Sequence, residues 1–174
     1  MRHFLLFLII LFPALSGKAQ TAATDAAVAN ALEILSEKGY STDVAGGKIN
    51  AYIPDKEYYE IFINKDGNIP IFQIRTLLGS FSYPNNDPYD VYVFADNLNQ
   101  NMPFVKFTVN PVQAGGLALI DDSYAEDEII EYSVSGMVTT FFGTNDQMGM
   151  ILTDCLNTFR TIKENMPKTL EGFN

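Results

Sequence analysis

Apolar positions recur along this chain at two spacings, and each spacing predicts one type of secondary structure. Intervals of three and four residues predict amphipathic helices, over residues 24–38, 89–101 and 145–166. Short runs rich in β-branched and aromatic residues predict strands, over residues 48–53, 58–64, 69–81, 104–109 and 130–135. The run at residues 117–120 is a further short candidate, and residues 137–142 fit either a strand or a helix.

Capping residues bound the predicted helices. Thr24 can cap the first helix, and Gly39 can end it in the left-handed conformation. Thr144 and Gln147 have the spacing of a capping box at the start of the last helix. Pro167 prevents a clean continuation of that helix.

The order of these elements predicts an α+β fold. Asp66-Gly67 is typical of a tight hairpin turn, and Pro70 and Gly79 predict irregularity in the strand that follows. Hairpin-type connections favour a mostly antiparallel sheet, with helices at the start, middle and end of the chain, in the order α-β-β-β-α-β-β-α. The length of 174 residues, without a repeat or a linker, predicts a single domain.

The N-terminus has the pattern of an export signal. A basic start precedes the apolar run at residues 4–12, which is too short to cross about 30 Å of hydrocarbon. Gly17 and Ala19 supply the small residues that a signal peptidase needs. We therefore expect residues 1–19 to be a signal peptide and residues 20–174 to be a periplasmic or extracellular domain. No later run has the length of a membrane span.

Charge argues against two classes of partner. The chain has 11 basic and 21 acidic residues, a formal net charge of −10. Loss of the leader would remove Arg2 and Lys18 and leave 9 basic residues. Nucleic acids and anionic membrane surfaces are bound by clusters of Lys and Arg, and this sequence has no such cluster. We therefore expect neither a nucleic-acid partner nor binding to an anionic membrane.

Histidine and cysteine counts remove common catalytic chemistries. His3 is the only histidine and lies in the predicted signal peptide, so Ser-His-Asp and Cys-His catalysis would lack a base. Ordinary zinc sites would lack their imidazole ligands. Cys155 is the only cysteine, and its place on the apolar stripe of the last helix predicts a buried, inert thiol. A reactive thiol and an intermolecular disulfide are the alternatives.

Acidic residues leave two kinds of site open. One cluster of acids falls between two predicted strands, namely Asp121, Asp122, Glu126, Asp127, Glu128 and Glu131. Calcium takes six to eight oxygen ligands, but these acids lack the alternating spacing and central glycine of a calcium loop, so a solvated turn is the preferred interpretation. Residues 64–68 have a faint calcium-loop pattern and are interpreted as a hairpin turn. Paired carboxylates could cleave glycosides, although 21 acids supply such pairs by chance.

Several short strings resemble those of the YbjN family, and together they cover most of the mature chain. They are residues 95–99 at the end of the middle helix, residues 102–107 and 129–133 in the following strands, and Leu35, Gly39 and Tyr40 at the end of the first helix. The resemblance implies a fold similar to that of type III secretion chaperones. It also implies a dimeric, non-enzymatic regulator or chaperone-like protein, with no catalytic residues to carry over.

This chain departs from the family in two places. Asp96 stands where the family often has Asn, and the stretch of residues 111–128 is longer than the usual hairpin. The string at residues 96–99 could be a recognition site. We prefer a helix end at which Asn97 or Asn99 satisfies free carbonyl groups.

The leading hypothesis is an exported, non-catalytic binding or regulatory protein. A carboxylate- or metal-dependent hydrolase and a structural cell-envelope protein are the alternatives. We assign no catalytic, cofactor-binding or metal-ligating residue and expect no cofactor. The expected partner is a protein or a second copy, on an apolar open face of the sheet formed by residues 58–63 and 69–74.

Overall fold

Three helices and seven strands make up the part of the chain that the computed structural model describes, which is residues 26–45, 48–64, 70–83, 85–113, 116–117, 129–168 and 170. Helix α1 covers residues 26–37 of that part, α2 is Pro88–Asn101 and α3 is Asn145–Glu164. The strands are β1 Ser41–Ala45, β2 Lys48–Ile53, β3 Glu57–Asn64, β4 Ile71–Ser82, β5 Lys106–Gln113, β6 Gly116–Leu117 and β7 Ile129–Phe141. The predicted α+β class is confirmed.

All seven strands belong to one antiparallel sheet, in the order β1-β2-β3-β4-β7-β5-β6. β7 lies between β4 and β5, so α2 connects two strands that are not neighbours. The pairing of β4 with β7 runs from Ile71 opposite Phe141 to Ser82 opposite Glu131. Its register shifts between Leu77 and Gly79, which confirms the irregularity predicted at this glycine.

One face of the sheet carries the core. Strand residues alternate between two faces, and Ile61, Ile63, Phe72 and Ile74 all point to the face that the helices cover, where they are buried. The fully buried Phe159 of α3 contacts this face, since a Cβ built on Gly136 of β7 would lie only 2.7 Å from its ring. Gly136 therefore allows α3 to approach the sheet.

The end of α1 is a Schellman motif. Gly39 has φ of 83°, the left-handed conformation that its sequence position predicts. Tyr40 N–H donates to Leu35 C=O at 2.9 Å, and Gly39 N–H donates to Ser36 C=O at 3.0 Å. This turn directs Tyr40 into the core and leads into β1.

Several boundaries differ from the sequence prediction. β1 was not predicted, because all five of its side chains are exposed and it has no apolar alternation. The ambiguous residues 137–142 are strand as far as Phe141. β5 begins at Lys106 rather than at residue 104, because Phe104 lies in a turn with its side chain 88% exposed.

Other predictions fall outside the described residues. These are the signal peptide, the Thr24 cap, the Asp66-Gly67 turn and the acidic residues 121–128, for which calcium binding and a solvated turn were the two interpretations. The register of β3 with β4, Asn64 opposite Ile71, agrees with a hairpin between these strands. No helix in the described part of the chain has the length and apolar character of a membrane span.

Candidate functional site

The open face of the sheet is mixed rather than apolar, which corrects the partner surface expected there. Glu60 of β3 lies at its centre and accepts hydrogen bonds from Lys48 at 2.9 Å and from Arg75. These bonds outweigh the effect of burial and hold the pKa of the Glu60 carboxyl below its ordinary value. The exposed side chains of Tyr52 and Tyr58 flank this network. The apolar residues assigned to this face, such as Ile61 and Phe72, lie in the core instead.

A second polar cluster joins α3 to the start of β3. Arg160 donates to Glu57 at 2.9 Å and to the Tyr40 hydroxyl at 3.0 Å, while Tyr40 and Tyr59 donate to the same carboxylate. Burial opposes ionisation of Glu57, but hydrogen bonds from Arg160 and Tyr40 outweigh it and lower the pKa of this carboxyl. The Lys163 ammonium lies 5.1 Å from the centroid of the Tyr59 ring. Because every hydroxyl and charge here has a partner, the cluster stabilises the packing of α3 against β3.

An apolar cleft of about 730 Å³ opens between α3 and the connection from α2 to β5. We define the apolar cleft by its lining residues, which are Asn101, Met102, Pro103, Phe104, Val105, Val138, Thr139, Thr140, Ile151, Asp154, Cys155, Thr158 and Phe159. A shallower pocket of about 600 Å³ shares two of them, Ile151 and Asp154, and adds Phe141 and Met150. The two concavities therefore adjoin along α3.

Large apolar side chains around the cleft face solvent. Phe104 is 88% exposed, Met150 67% and Phe141 65%. They come from a turn, a helix and a strand end that are far apart in sequence. This surface was not predicted from the sequence, because the patterns placed Phe104 in a strand and Phe141 in a segment that fits either a strand or a helix. The hydrophobicity of the string MPF before β5 was the available signal.

Cys155 lies against the cleft and is 8% exposed, so the predicted burial of its thiol is confirmed. Burial and the nearby charge of Asp154 raise the pKa of the thiol to about 12. The thiol is therefore protonated at neutral pH, which makes it a poor nucleophile.

The α3 wall of the cleft begins at a well-formed cap. Thr144 Oγ1 accepts from Gln147 N–H at 3.2 Å, as the sequence predicts. Gln147 Oε1 accepts from Gly143 N–H at 2.9 Å, one residue before the position that a standard capping box would use. These bonds fix the chain where β7 passes into α3.

Asn99 holds the opposite wall. Its side chain donates to Phe107 C=O at 3.1 Å and accepts from Phe107 N–H at 2.8 Å, so it occupies the outer edge of β5. Asn97 or Asn99 was expected to satisfy free helix carbonyls, and Asn99 instead bonds both backbone groups of a strand residue. Asn101 does bond a helix carbonyl, that of Asn97, at 2.8 Å.

The described residues hold no group of three or more His, Cys, Asp or Glu side chains arranged for a metal ion. Asp154 is the only carboxylate among the residues that line the cleft and the adjoining pocket. Acid–base catalysis that uses a separate acid and a separate base needs two titratable side chains in the site. The cleft supplies one carboxylate beside a protonated thiol.

Comparison with known proteins gives a similarity of structure without a detectable similarity of sequence. Neither a protein-family profile nor a curated protein matches the sequence. The structure is similar to the crystal structure of YbjN, described as a candidate transcription regulator from E. coli, with a TM-score of 0.42 and 12% identity, over 75% of this chain and 84% of that chain. Membership of the YbjN family stays a prediction.

Proposed function

We propose that this chain is an exported, non-catalytic protein-binding protein and that the apolar cleft is its binding surface. One observation carries the proposal, which is the exposure of Phe104 at a cleft of about 730 Å³ and of Met150 and Phe141 at the pocket that adjoins it. Single apolar side chains on a protein surface are normal, whereas a group of them around a concavity marks an interaction site.

The free energy of burying apolar surface favours a partner that covers the cleft. Burying one large apolar side chain contributes about 1.5–3 kcal/mol, and three such side chains face solvent here. Association costs several kcal/mol in lost freedom of motion, so a partner must cover most of these groups to bind. A protein segment that follows the cleft into the adjoining pocket meets that requirement.

The shape and chemistry of the cleft favour a polypeptide over a small substrate. Its outer wall is a nearly fully exposed phenylalanine, so a small molecule would remain open to water on one side. The lining supports binding rather than a reaction, because it has a single carboxylate, Asp154, and the protonated thiol of Cys155.

Site-specific photocrosslinking in the native host tests the binding surface. p-Benzoylphenylalanine would replace Phe104 or Met150, and the control position is Tyr89, which is 69% exposed on α2 and does not line the cleft. We expect discrete protein adducts from positions 104 and 150 and none from position 89. Identical adducts from all three positions, or no adduct from positions 104 and 150, would refute the assignment. An adduct of twice the chain mass would identify the partner as a second copy.

Export rests on the pattern of residues 1–19 and needs its own test. Cell fractionation followed by N-terminal sequencing is expected to find a chain that begins at or next to Gln20, outside the cytoplasm. A cytoplasmic chain that retains its leader would overturn this part of the proposal and leave the binding surface unaffected.

A further inference from the structure

Asp154 is the one charged residue that lines both the apolar cleft and the adjoining pocket. It projects from the middle of α3, and its side chain is exposed. No Lys or Arg lines either concavity. Any group that enters the cleft therefore meets an apolar surface with one negative charge on its wall.

Asp154 differs from the acids that stabilise the fold. Glu57 is bonded to Arg160, and Glu60 is bonded to Lys48 and Arg75. Among the described residues, Asp154 has no hydrogen-bond or ion-pair partner. Its charge thus remains available to a ligand.

We propose, building on the binding function proposed above, that the partner is a peptide segment that places an apolar side chain in the cleft and a Lys or Arg on Asp154. A cation that is brought against Asp154 beside Ile151 and Phe104 loses part of its screening by water, so the ion pair becomes stronger than one on an open surface. An acidic segment would meet repulsion at the same point.

The charge of the whole chain supports this choice of occupant. With 9 basic against 21 acidic residues after loss of the leader, the mature chain attracts cationic segments over a distance set by the salt concentration. A second copy of the mature chain carries the same excess of acidic residues, so it is repelled as it approaches. Charge complementarity therefore favours a different, basic and apolar partner.

Selection from a phage-displayed library of random 12-residue peptides tests the inference on the purified mature chain. Peptides that bind wild type and fail to bind Met150→Asp are taken as cleft-dependent, with circular dichroism and thermal melting to show that the variant is folded. Tyr89→Asp serves as the matched control, because it adds the same charge at an equally exposed position outside the cleft.

We expect Lys and Arg to be enriched in the cleft-dependent peptides relative to the unselected library. Asp154→Asn is expected to weaken their binding by about three- to tenfold. Asp43→Asn, which removes an exposed carboxylate on the edge strand β1, is expected to leave binding unchanged. Replacing the basic residue of a selected peptide by norleucine should produce the loss in wild type but not in Asp154→Asn.

The outcomes separate this inference from the function on which it rests. Cleft-dependent peptides without basic enrichment, or with equal affinity for wild type and Asp154→Asn, would overturn the role of Asp154 and leave the binding surface standing. A selection that yields no cleft-dependent peptide would overturn both. Self-association that is abolished by Met150→Asp would assign the cleft to a second copy and also refute the basic partner.

Discussion

The close approach of Phe159 to Gly136 gives the sharpest test of how α3 packs on the sheet. Gly136→Ala would place a methyl group 2.7 Å from one ring carbon of Phe159 and 3.1 Å from a methyl group of Leu78. Real Cβ contacts are longer than this, so something must move. Phe159 is fully buried, and its ring cannot turn away into solvent.

Two opposing terms set the expected magnitude. Overpacking a tight core costs about 1–3 kcal/mol. Replacing glycine by alanine in a strand recovers about 0.5–1 kcal/mol, because it reduces the entropy of the unfolded chain. The net destabilisation of Gly136→Ala therefore lies between about 0 and 2.5 kcal/mol and is centred near 1 kcal/mol, which corresponds to a fall in Tm of about 2–4 °C for a domain of this size.

Urea unfolding followed by far-UV circular dichroism measures this change. The control is Gly79→Ala, where the new Cβ meets only the flexible side chain of Met166, at 3.2 Å, and should change stability by less than about 0.5 kcal/mol. Phe159→Leu in the Gly136→Ala background should recover part of the loss through a favourable coupling energy. An equal or higher stability for Gly136→Ala, or strictly additive effects of the two changes, would refute the steric argument.

Three further predictions concern the stability of the protein at low pH, the reactivity of the Cys155 thiol and the outer edge of β5. Arg160 holds the pKa of the Glu57 carboxyl below its value in the unfolded chain. The ionised carboxylate therefore stabilises the fold at pH values above the unfolded pKa, and this stabilisation is lost as the pH falls through the folded pKa. Glu57→Gln should flatten the acid side of a plot of unfolding free energy against pH. Labelling of Cys155 by iodoacetamide at pH 8 should be far slower in the native protein than in urea, and equal rates would contradict its burial. Asn99→Ala should cost about 1–3 kcal/mol in urea unfolding by leaving both backbone groups of Phe107 without their partner, and unchanged stability would show that water replaces the side chain.

The spacing of apolar residues predicted the helices and the central strands, because the side chains that are buried in the core recur with the period of each type of element. The apolar positions that predict α3 are also its buried residues, among them Met148, Leu152, Leu156 and Phe159. Strand alternation in β3 is equally clear, with Tyr59, Ile61 and Ile63 buried in turn. β1 carried no such signal, because an exposed edge strand places no side chain in the core.

The open face and the cleft could not be predicted, for two physical reasons. The number of apolar residues in β3 and β4 does not show to which face of the sheet each side chain points. Ile61 and Phe72 were therefore expected on the solvent-exposed face. The ion network of Glu60 depends on pairing across three strands, which places Lys48 and Arg75 on either side of it. Such contacts join residues that no local spacing relates.

The walls of the apolar cleft owe their positions to interactions that do not involve a ligand. On one side, Asn99 fixes the start of β5, and Val105 N–H donates to Met102 C=O at 3.0 Å, which closes the turn that exposes Phe104. On the other side, α3 is held against the sheet by Phe159 at Gly136. A cleft whose walls are fixed before binding loses less conformational entropy when a partner arrives. Because Phe104 itself buries little of its side chain, it contributes little to the stability of the fold, so a substitution at this position tests the proposed binding surface without unfolding the protein.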